Sequence, residues 1–277
     1  MRAIVRRMLP RSPSRQLEYA HSGDVRLAYT LRGKQGPPTV FVTGYMARRQ
    51  VWALQVVQFS RTRRLLVYDR RGVGDSDRPE DGYGLDDQLA DLEAVVDAAG
   101  WEQFDLVGHS MGGFIATAFA IRHPERVSRL ALLATAPYRT TRSDFGVGVF
   151  ITQDGEPPAW DEEGVKRAVA LLIPERDSTW LRMEMARTIP EMNDPDQARR
   201  TFAAFEGVDL RPDLDRIQAP TLVIHGTRDN VVPPEVGRRL AAAIPGARYQ
   251  LLDGLGHMLM VTGARQVNDR LAAFLDS

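Results

Sequence analysis

Ser110 stands in Gly108-His109-Ser110-Met111-Gly112-Gly113, directly after the apolar run Phe104 to Val107 and directly before a helix-forming segment. A serine in so tight a strand-to-helix turn needs small flanking residues, because a side chain at position 108 or 112 would collide with neighbouring backbone, and its hydroxyl is projected outward. The following helix aims unpaired N–H groups and a positive partial charge at the same point, so an oxyanion formed there would be stabilised. A serine hydroxyl is a weak nucleophile at neutral pH, and covalent chemistry through it demands a histidine to take the proton and a carboxylate to orient that histidine. Two downstream loops offer them. Asp229 lies in Gly226-Thr227-Arg228-Asp229-Asn230-Val231-Val232-Pro233, just past the β-like run Thr221 to His225, and His257 closes Leu252-Asp253-Gly254-Leu255-Gly256-His257 before the last helical stretch. Loops beyond the carboxyl ends of strands are where open α/β sheets build their sites.

The other histidines and acids have plainer readings. His225 ends a buried strand and is expected as a satisfied core residue; His123 precedes Pro124 at a helix end; His21 lies in a hairpin turn. Asp253, four residues before His257, is expected to stabilise its loop, and Asp69 and Asp75, separated by Gly72 and Gly74, suggest a tight turn in which both acids bond backbone and arginines. No His/Asp/Glu spacing suggests a metal, and no glycine-rich turn matches a dinucleotide fingerprint, so the expected chemistry uses neither cofactor nor metal.

Positioning these residues requires a sheet. From Gln16 onward β-like runs alternate with helical segments, the pattern of a mostly parallel sheet covered by helices. Gln16–Tyr19 and Val25–Leu31 flank a His21-Ser22-Gly23-Asp24 turn and predict an antiparallel hairpin; further strands are predicted at Thr39–Val42, Arg64–Tyr68, Phe104–Val107, Arg129–Leu133, Thr221–His225 and Arg248–Leu252. Helices are predicted over Leu85–Ala99, from its apolar stripe, and over Ser110–His123, Glu235–Ala243 and Arg265–Phe274. Between about Tyr138 and Pro212 there is no convincing strand; aromatics and methionines accumulate between Gly- and Pro-separated helical segments. The expected organisation is therefore a basic N-terminal extension (1–15), one α/β domain made of 16–137 and 213–277, and a helical insertion at 138–212.

The motifs Gly108-His109-Ser110-Met111-Gly112-Gly113, Asp69-Arg70-Arg71-Gly72-Val73-Gly74-Asp75-Ser76, Gly226-Thr227-Arg228-Asp229 and Gly256-His257 together resemble the α/β-hydrolase superfamily, over about Gln16 to Phe274. The resemblance implies an eight-stranded, mostly parallel sheet with a helical cap after the sixth strand. It implies Ser110 as nucleophile, His257 as general base and then acid, and Asp229 as the residue that orients His257. It also implies an oxyanion hole made by the backbone N–H groups of Met111 and Tyr45. Many relatives carry His-Gly at that second turn, whereas this chain has Thr43-Gly44-Tyr45, so the usual histidine side chain is absent. The loop Thr135-Ala136-Pro137 carries no carboxylate, so the alternative acid position of some relatives is not filled.

Substrate contacts are expected from Tyr45, His109, Trp160, Trp180 and Met258, under an apolar roof that includes Phe202, Phe205, Met183 and Met185. Arg139, Arg142, Arg182 and Arg187 offer a carboxylate anchor. The expected activity is cleavage of a small, largely apolar ester or lactone through an acyl-enzyme. The rivals are carbon–carbon bond hydrolysis, a haloperoxidase-like perhydrolase, a cofactor-free lyase or oxygenase, and a ligand receptor that keeps the triad.

Composition narrows the field further. The 277 residues carry 36 Lys+Arg against 36 Asp+Glu, which removes a whole-molecule electrostatic case for nucleic acid or anionic membrane as partner. Absence of cysteine excludes thiolate nucleophiles and Cys-ligated metals. The five arginines of residues 1–15 accompany no apolar core of adequate length for a signal peptide, and no apolar run approaches a bilayer span. A cytoplasmic monomer or homodimer acting on a small molecule is expected, without nucleic acid and without stable membrane insertion.

Overall fold

Successive residues of the central strands point into two different apolar layers, as a pleated strand buried on both faces must arrange them. Val40 and Val42, Leu66 and Tyr68, Leu106, and Leu130 and Leu132 enter one layer. Their neighbours Phe41, Leu65 and Val67, Val107, and Ala131 and Leu133 enter the other. The structure, a computed structural model, describes residues 17–139, 162–175, 178–192 and 195–277, the side chains of 187–192 and 195 excepted.

Eight strands form the main sheet: β1 (Glu18–Ser22), β2 (Val25–Arg32), β3 (Pro38–Val42), β4 (Arg64–Tyr68), β5 (Phe104–His109), β6 (Val127–Leu133), β9 (Thr221–Gly226) and β10 (Arg248–Leu252). Their order is β1-β2-β4-β3-β5-β6-β9-β10. β1 pairs antiparallel with β2, and β2 with β4; every later pairing is parallel. The hairpin at the edge and the parallel run after it both match the sequence-based expectation.

Helices cover both faces. The first apolar layer is closed by α2 (Leu85–Ala98), α3 (Met111–Arg122) and α7 (Pro234–Ala243), the second by α1 (Ala53–Phe59), α8 (Leu259–Thr262) and α9 (Ala264–Leu275). α3 is apolar on nearly every side, with Phe114 through Ile121 all buried, because it lies between the sheet and α2. The 3-10 turn Arg49–Trp52 and α1 carry Trp52 and Phe59 into the second layer, in a helix between β3 and β4 that no sequence pattern announces. Seven residues are too few for a convincing 3.6-residue stripe.

Between β6 and β9 the described residues form helices α4 (Glu162–Leu172), α5 (Thr179–Met192) and α6 (Pro195–Ala203). One expectation is corrected here: the insertion contains strands. β7 (Tyr138–Arg139) pairs antiparallel with β8 (Val208–Asp209), Tyr138 opposite Asp209 and Arg139 opposite Val208. Two-residue strands carry no readable alternation, but this ladder fastens the two ends of the insertion to each other at the edge of the site. Leu210 N–H adds a bond to Pro137 O at 2.8 Å.

Parallel strands end on the same side. The carboxyl ends of β3, β5, β6, β9 and β10 therefore deliver Thr43-Gly44-Tyr45, Ser110, Thr135, Asp229 and His257 to a single edge of the sheet.

Candidate active site

Ser110 sits between β5 and α3 with φ 53° and ψ −123°, a conformation that a residue with a side chain adopts at a cost of about 1–3 kcal/mol. Four bonds hold it there. Its N–H donates to Leu133 O at 2.9 Å, its carbonyl accepts Gly113 N–H and Phe114 N–H at 2.9 and 3.0 Å, and the Thr135 hydroxyl donates to the same carbonyl at 2.7 Å. The flanking glycines are obligatory: a Cβ on Gly108 would lie 2.4 Å from Gly112 O, and one on Gly112 would lie 2.3 Å from Val42 O. As the first residue of α3, Met111 has an N–H without an intrahelical acceptor.

The three expected residues meet. His257 Nε2 lies 3.0 Å from Ser110 Oγ, and His257 Nδ1 lies 2.9 Å from Asp229 Oδ2. Asp229 Oδ1 accepts the N–H groups of Val231 and Val232 at 2.9 and 3.0 Å. Burial works to raise the Asp229 carboxyl; the charge on His257 and bonds from His225 and His257 outweigh it and leave the group well below the usual carboxylate range. Asp229 is thus held ionised at neutral pH, with His257 Nδ1 as donor and Nε2 turned to the serine.

His257 is fixed from three further directions. His109, expected to contact substrate, is instead buried behind the site: its Nε2–H donates to the backbone carbonyl of His257 at 2.9 Å, and the two rings stand 4.9 Å apart. Burial, then the neighbouring His257, depresses the His109 imidazole to about 3. The base of the insertion clasps the other side of the loop. Glu175 accepts Gly256 N–H at 2.8 Å and the Thr262 hydroxyl at 2.7 Å, and Leu172 O accepts Met258 N–H at 3.3 Å. Nothing in sequence spacing announces Glu175, because its partners lie more than 80 positions away.

Arg70 answers the question raised by Thr43. Its guanidinium, fully buried, donates to Thr43 O at 3.1 Å and Gly44 O at 2.9 Å, and reaches Gln88 at 3.3 Å, so the loop that carries Tyr45 is held by an arginine from the end of β4. Asp69 beside it bonds the backbone and side chain of Arg49 and the backbone of Asp75, the turn-building role expected of it. Asp253 accepts the Thr227 hydroxyl at 3.1 Å, also as expected.

Next to Ser110 opens a cavity of about 530 Å³, its mouth included, lined by Tyr45, Met111, Phe114, Thr135, Ala136, Tyr138, Arg139, Phe202, Phe205, Val231 and Val232. Tyr45 lines it with its ring, 5.4 Å from that of Phe202, while its hydroxyl donates to Ala198 O of α6 at 2.6 Å. Burial pushes that phenol upward, so it stays a donor. The remaining expected contacts fall elsewhere. Met258 is packed into the second apolar layer, and half-buried Trp180 stands on α5; neither lines this cavity. Trp160 lies outside the described residues. Of the four arginines considered as anchors, Arg139 is in the cavity wall, its guanidinium 3.6 Å from the Phe202 ring and bonded to Phe202 O at 2.5 Å. Arg182 is on α5 beside Thr179, and Arg142 and the Arg187 side chain lie outside the described residues.

Comparison with known proteins decides the family. Residues 37–264 match the family model of the alpha/beta hydrolase fold. The chain belongs to the alpha/beta hydrolase family. It is similar to a 2-hydroxymuconate semialdehyde hydrolase from Pseudomonas putida, 32% identical over 231 residues that cover 78% of each chain. A putative non-heme chloroperoxidase from Synechocystis is 31% identical over 256 residues, 87% of this chain and 91% of the relative. Among solved structures, the enol-lactonase from Burkholderia xenovorans superposes with a TM-score of 0.83 at 27% identity, covering 94% of this chain and all of that one. As an alpha/beta hydrolase the chain is an enzyme of a family whose relatives carry several activities. Among the described residues no helix is long and apolar enough to cross a membrane.

Proposed function

We propose that this alpha/beta hydrolase cleaves a carboxylic ester or lactone of a small, largely apolar substrate through an acyl-enzyme on Ser110. The observation that carries the proposal is the unbroken chain Ser110 Oγ, His257 Nε2, His257 Nδ1, Asp229 Oδ2, with steps of 3.0 and 2.9 Å. In this reading His257 takes the hydroxyl proton as Ser110 attacks the carbonyl carbon, and the tetrahedral oxyanion collapses as His257 returns the proton to the leaving alkoxide. Water, activated by the same imidazole, then releases the acid. The Met111 and Tyr45 N–H groups serve the oxyanion, each worth about 2.7–4 kcal/mol in a water-poor site. The α4–α6 segment acts as the cap, and the aromatic walls of the cavity receive the apolar part of the substrate.

The test is a panel of p-nitrophenyl esters of rising acyl length, aryl esters, lactones and ring-cleavage diketones, with Ser110→Ala as control. Turnover of esters or lactones, lost by about 10⁴-fold or more in folded Ser110→Ala, is the expected outcome. Ester turnover that survives this substitution overturns the assignment.

A second reading is favoured by Arg139. A guanidinium in the cavity wall suits a substrate with a carboxylate, and two of the similar proteins are named for 2-hydroxymuconate semialdehyde hydrolysis and enol-lactone hydrolysis. Preference for the diketone or for an anionic lactone over neutral esters, lost in Arg139→Met with kcat on neutral esters retained, selects it.

A further inference from the structure

His225 is the penultimate residue of β9 and is completely buried. Its Nε2 stands 3.0 Å from Val232 O and 3.3 Å from Asp229 Oδ2. Both neighbours are acceptors, so the ring carries its hydrogen on Nε2, bonded to Val232 O and with Asp229 Oδ2 close beside it. Its Nδ1 has no hydrogen-bond partner among the described residues and faces α7, where a Cβ on Gly237 would come within 2.2 Å of it. Asp229 Oδ2 therefore has an imidazole nitrogen of His257 at 2.9 Å and one of His225 at 3.3 Å, while Oδ1 is held by the N–H groups of Val231 and Val232.

We infer that His225 is a positioning residue for the acyl-transfer reaction, a second histidine that aims Asp229 Oδ2 at His257 and moderates how strongly that oxygen holds it. The inference rests on the assignment of Ser110, His257 and Asp229 as the reacting set. Two geometric facts support it beyond simple burial. The bond to Val232 O fixes the turn whose N–H groups clamp Oδ1, so His225 constrains both oxygens of the carboxylate. The positive end of the same N–H stands 3.3 Å from the Oδ2 that His257 uses, and removing it leaves Asp229 a stronger acceptor toward His257. The ionisable groups around the ring are Asp229, His257 and, farther round, His109.

A purely structural histidine would contribute to stability alone. A positioning histidine has a kinetic signature. His225→Leu is expected to lower kcat about tenfold on a p-nitrophenyl ester with little change in KM, because orientation is lost in the transition state more than in binding. The acid limb of kcat/KM is expected to move upward by about half a pH unit, since an Asp229 with one donor fewer favours the protonated imidazole of His257. His225→Gln, which can place a donor nitrogen near the Nε2 position, is expected to recover part of both changes.

Gly237→Ala approaches from the far side without touching the three reacting residues. Its methyl presses on His225 Nδ1 and is expected to lower kcat in the native background but to have no kinetic effect in His225→Ala, where the space is free. Unchanged kcat and an unmoved acid limb in folded His225→Leu, with only the melting temperature reduced, overturn the inference; so does a rise in KM alone. If His225→Leu does not fold, His225→Gln and Gly237→Ala decide the matter by the same readouts.

A substrate-free measurement separates this inference from the hydrolase reading. The low-field proton resonance of the His257–Asp229 bond is expected to shift in His225→Gln, and an unshifted resonance contradicts the positioning role. Failure of wild-type protein to turn over any ester or to react with a fluorophosphonate would instead count against the acyl-transfer reading, with the resonance still reporting on His225.

Discussion

At the scale of single residues, the site is a set of buried polar groups, and its pH behaviour follows from their burial and bonding. His109 is buried and its imidazole is depressed to about 3. In the unfolded chain it returns to the ordinary value near 6.5, so between those two values the unfolded state binds the extra proton. Stability contributed by neutral His109 is complete above about pH 6.5 and falls as pH drops toward 3, by up to about 1.4 kcal/mol per pH unit. His109→Gln, which keeps a donor for the His257 carbonyl, is expected to flatten the pH dependence of stability between about pH 4 and 6, measured by urea unfolding. An unchanged slope would show that His109 is protonated in the fold. Asp229 works at lower pH. Its carboxyl lies below the ordinary range, so its contribution is present above about pH 4 and is lost as pH falls through the native value. Asp229→Asn keeps the shape, removes the charge that supports imidazolium, and is expected to cut kcat by about 10³–10⁴-fold with little change in KM. Comparable kcat in the variant would mean that His257 does not become charged during the reaction.

At the scale of elements, each chemical group comes from a different strand end, and the loops between are held by residues that take no part in bond making. Arg70 is the clearest case. From the end of β4 it donates to Thr43 O and Gly44 O and so holds the loop after β3. Arg70→Met is expected to loosen the Tyr45 loop and lower kcat by about 10²-fold, the scale of one lost oxyanion donor, with Ser110 still reactive toward a small fluorophosphonate. Retention of wild-type kcat would show that Tyr45 is positioned without the arginine. The elements that carry chemistry were legible because they repeat a strong local pattern: an apolar strand, a glycine turn, then a helix, as in Gly108 to Gly113. Arg70 was not legible as a loop anchor, because a buried arginine looks like any other in a chain whose positive charge is nearly all arginine. The short α1 and the two-residue ladder β7–β8 were missed for a plainer reason: neither spans enough residues to establish a period. His225 was legible as buried and bonded, but its second acceptor depends on how the loop after β9 folds back.

At the scale of the whole molecule, strand order explains why residues 110, 229 and 257 meet. β5 lies near the middle of the sheet, β6 separates it from β9 and β10, and parallel pairing sends all their carboxyl ends to one edge. The α4–α6 segment bonds the loops of that edge through Ala198 O to the Tyr45 hydroxyl, Leu172 O to Met258 N–H and Glu175 to Gly256 N–H. The cavity lining was only partly legible: Tyr45, Phe202, Phe205 and Arg139, named from the sequence, line it beside Tyr138, whereas Met258 and His109 are buried and do not. The central claim is covalent chemistry at Ser110, and mass spectrometry of the protein after reaction with a fluorophosphonate tests it most directly. A single adduct on the peptide containing Ser110, formed in step with loss of esterase activity and absent from Ser110→Ala, is the result the account predicts. Full activity with Ser110 blocked, or an adduct elsewhere that tracks the loss of activity, would contradict it.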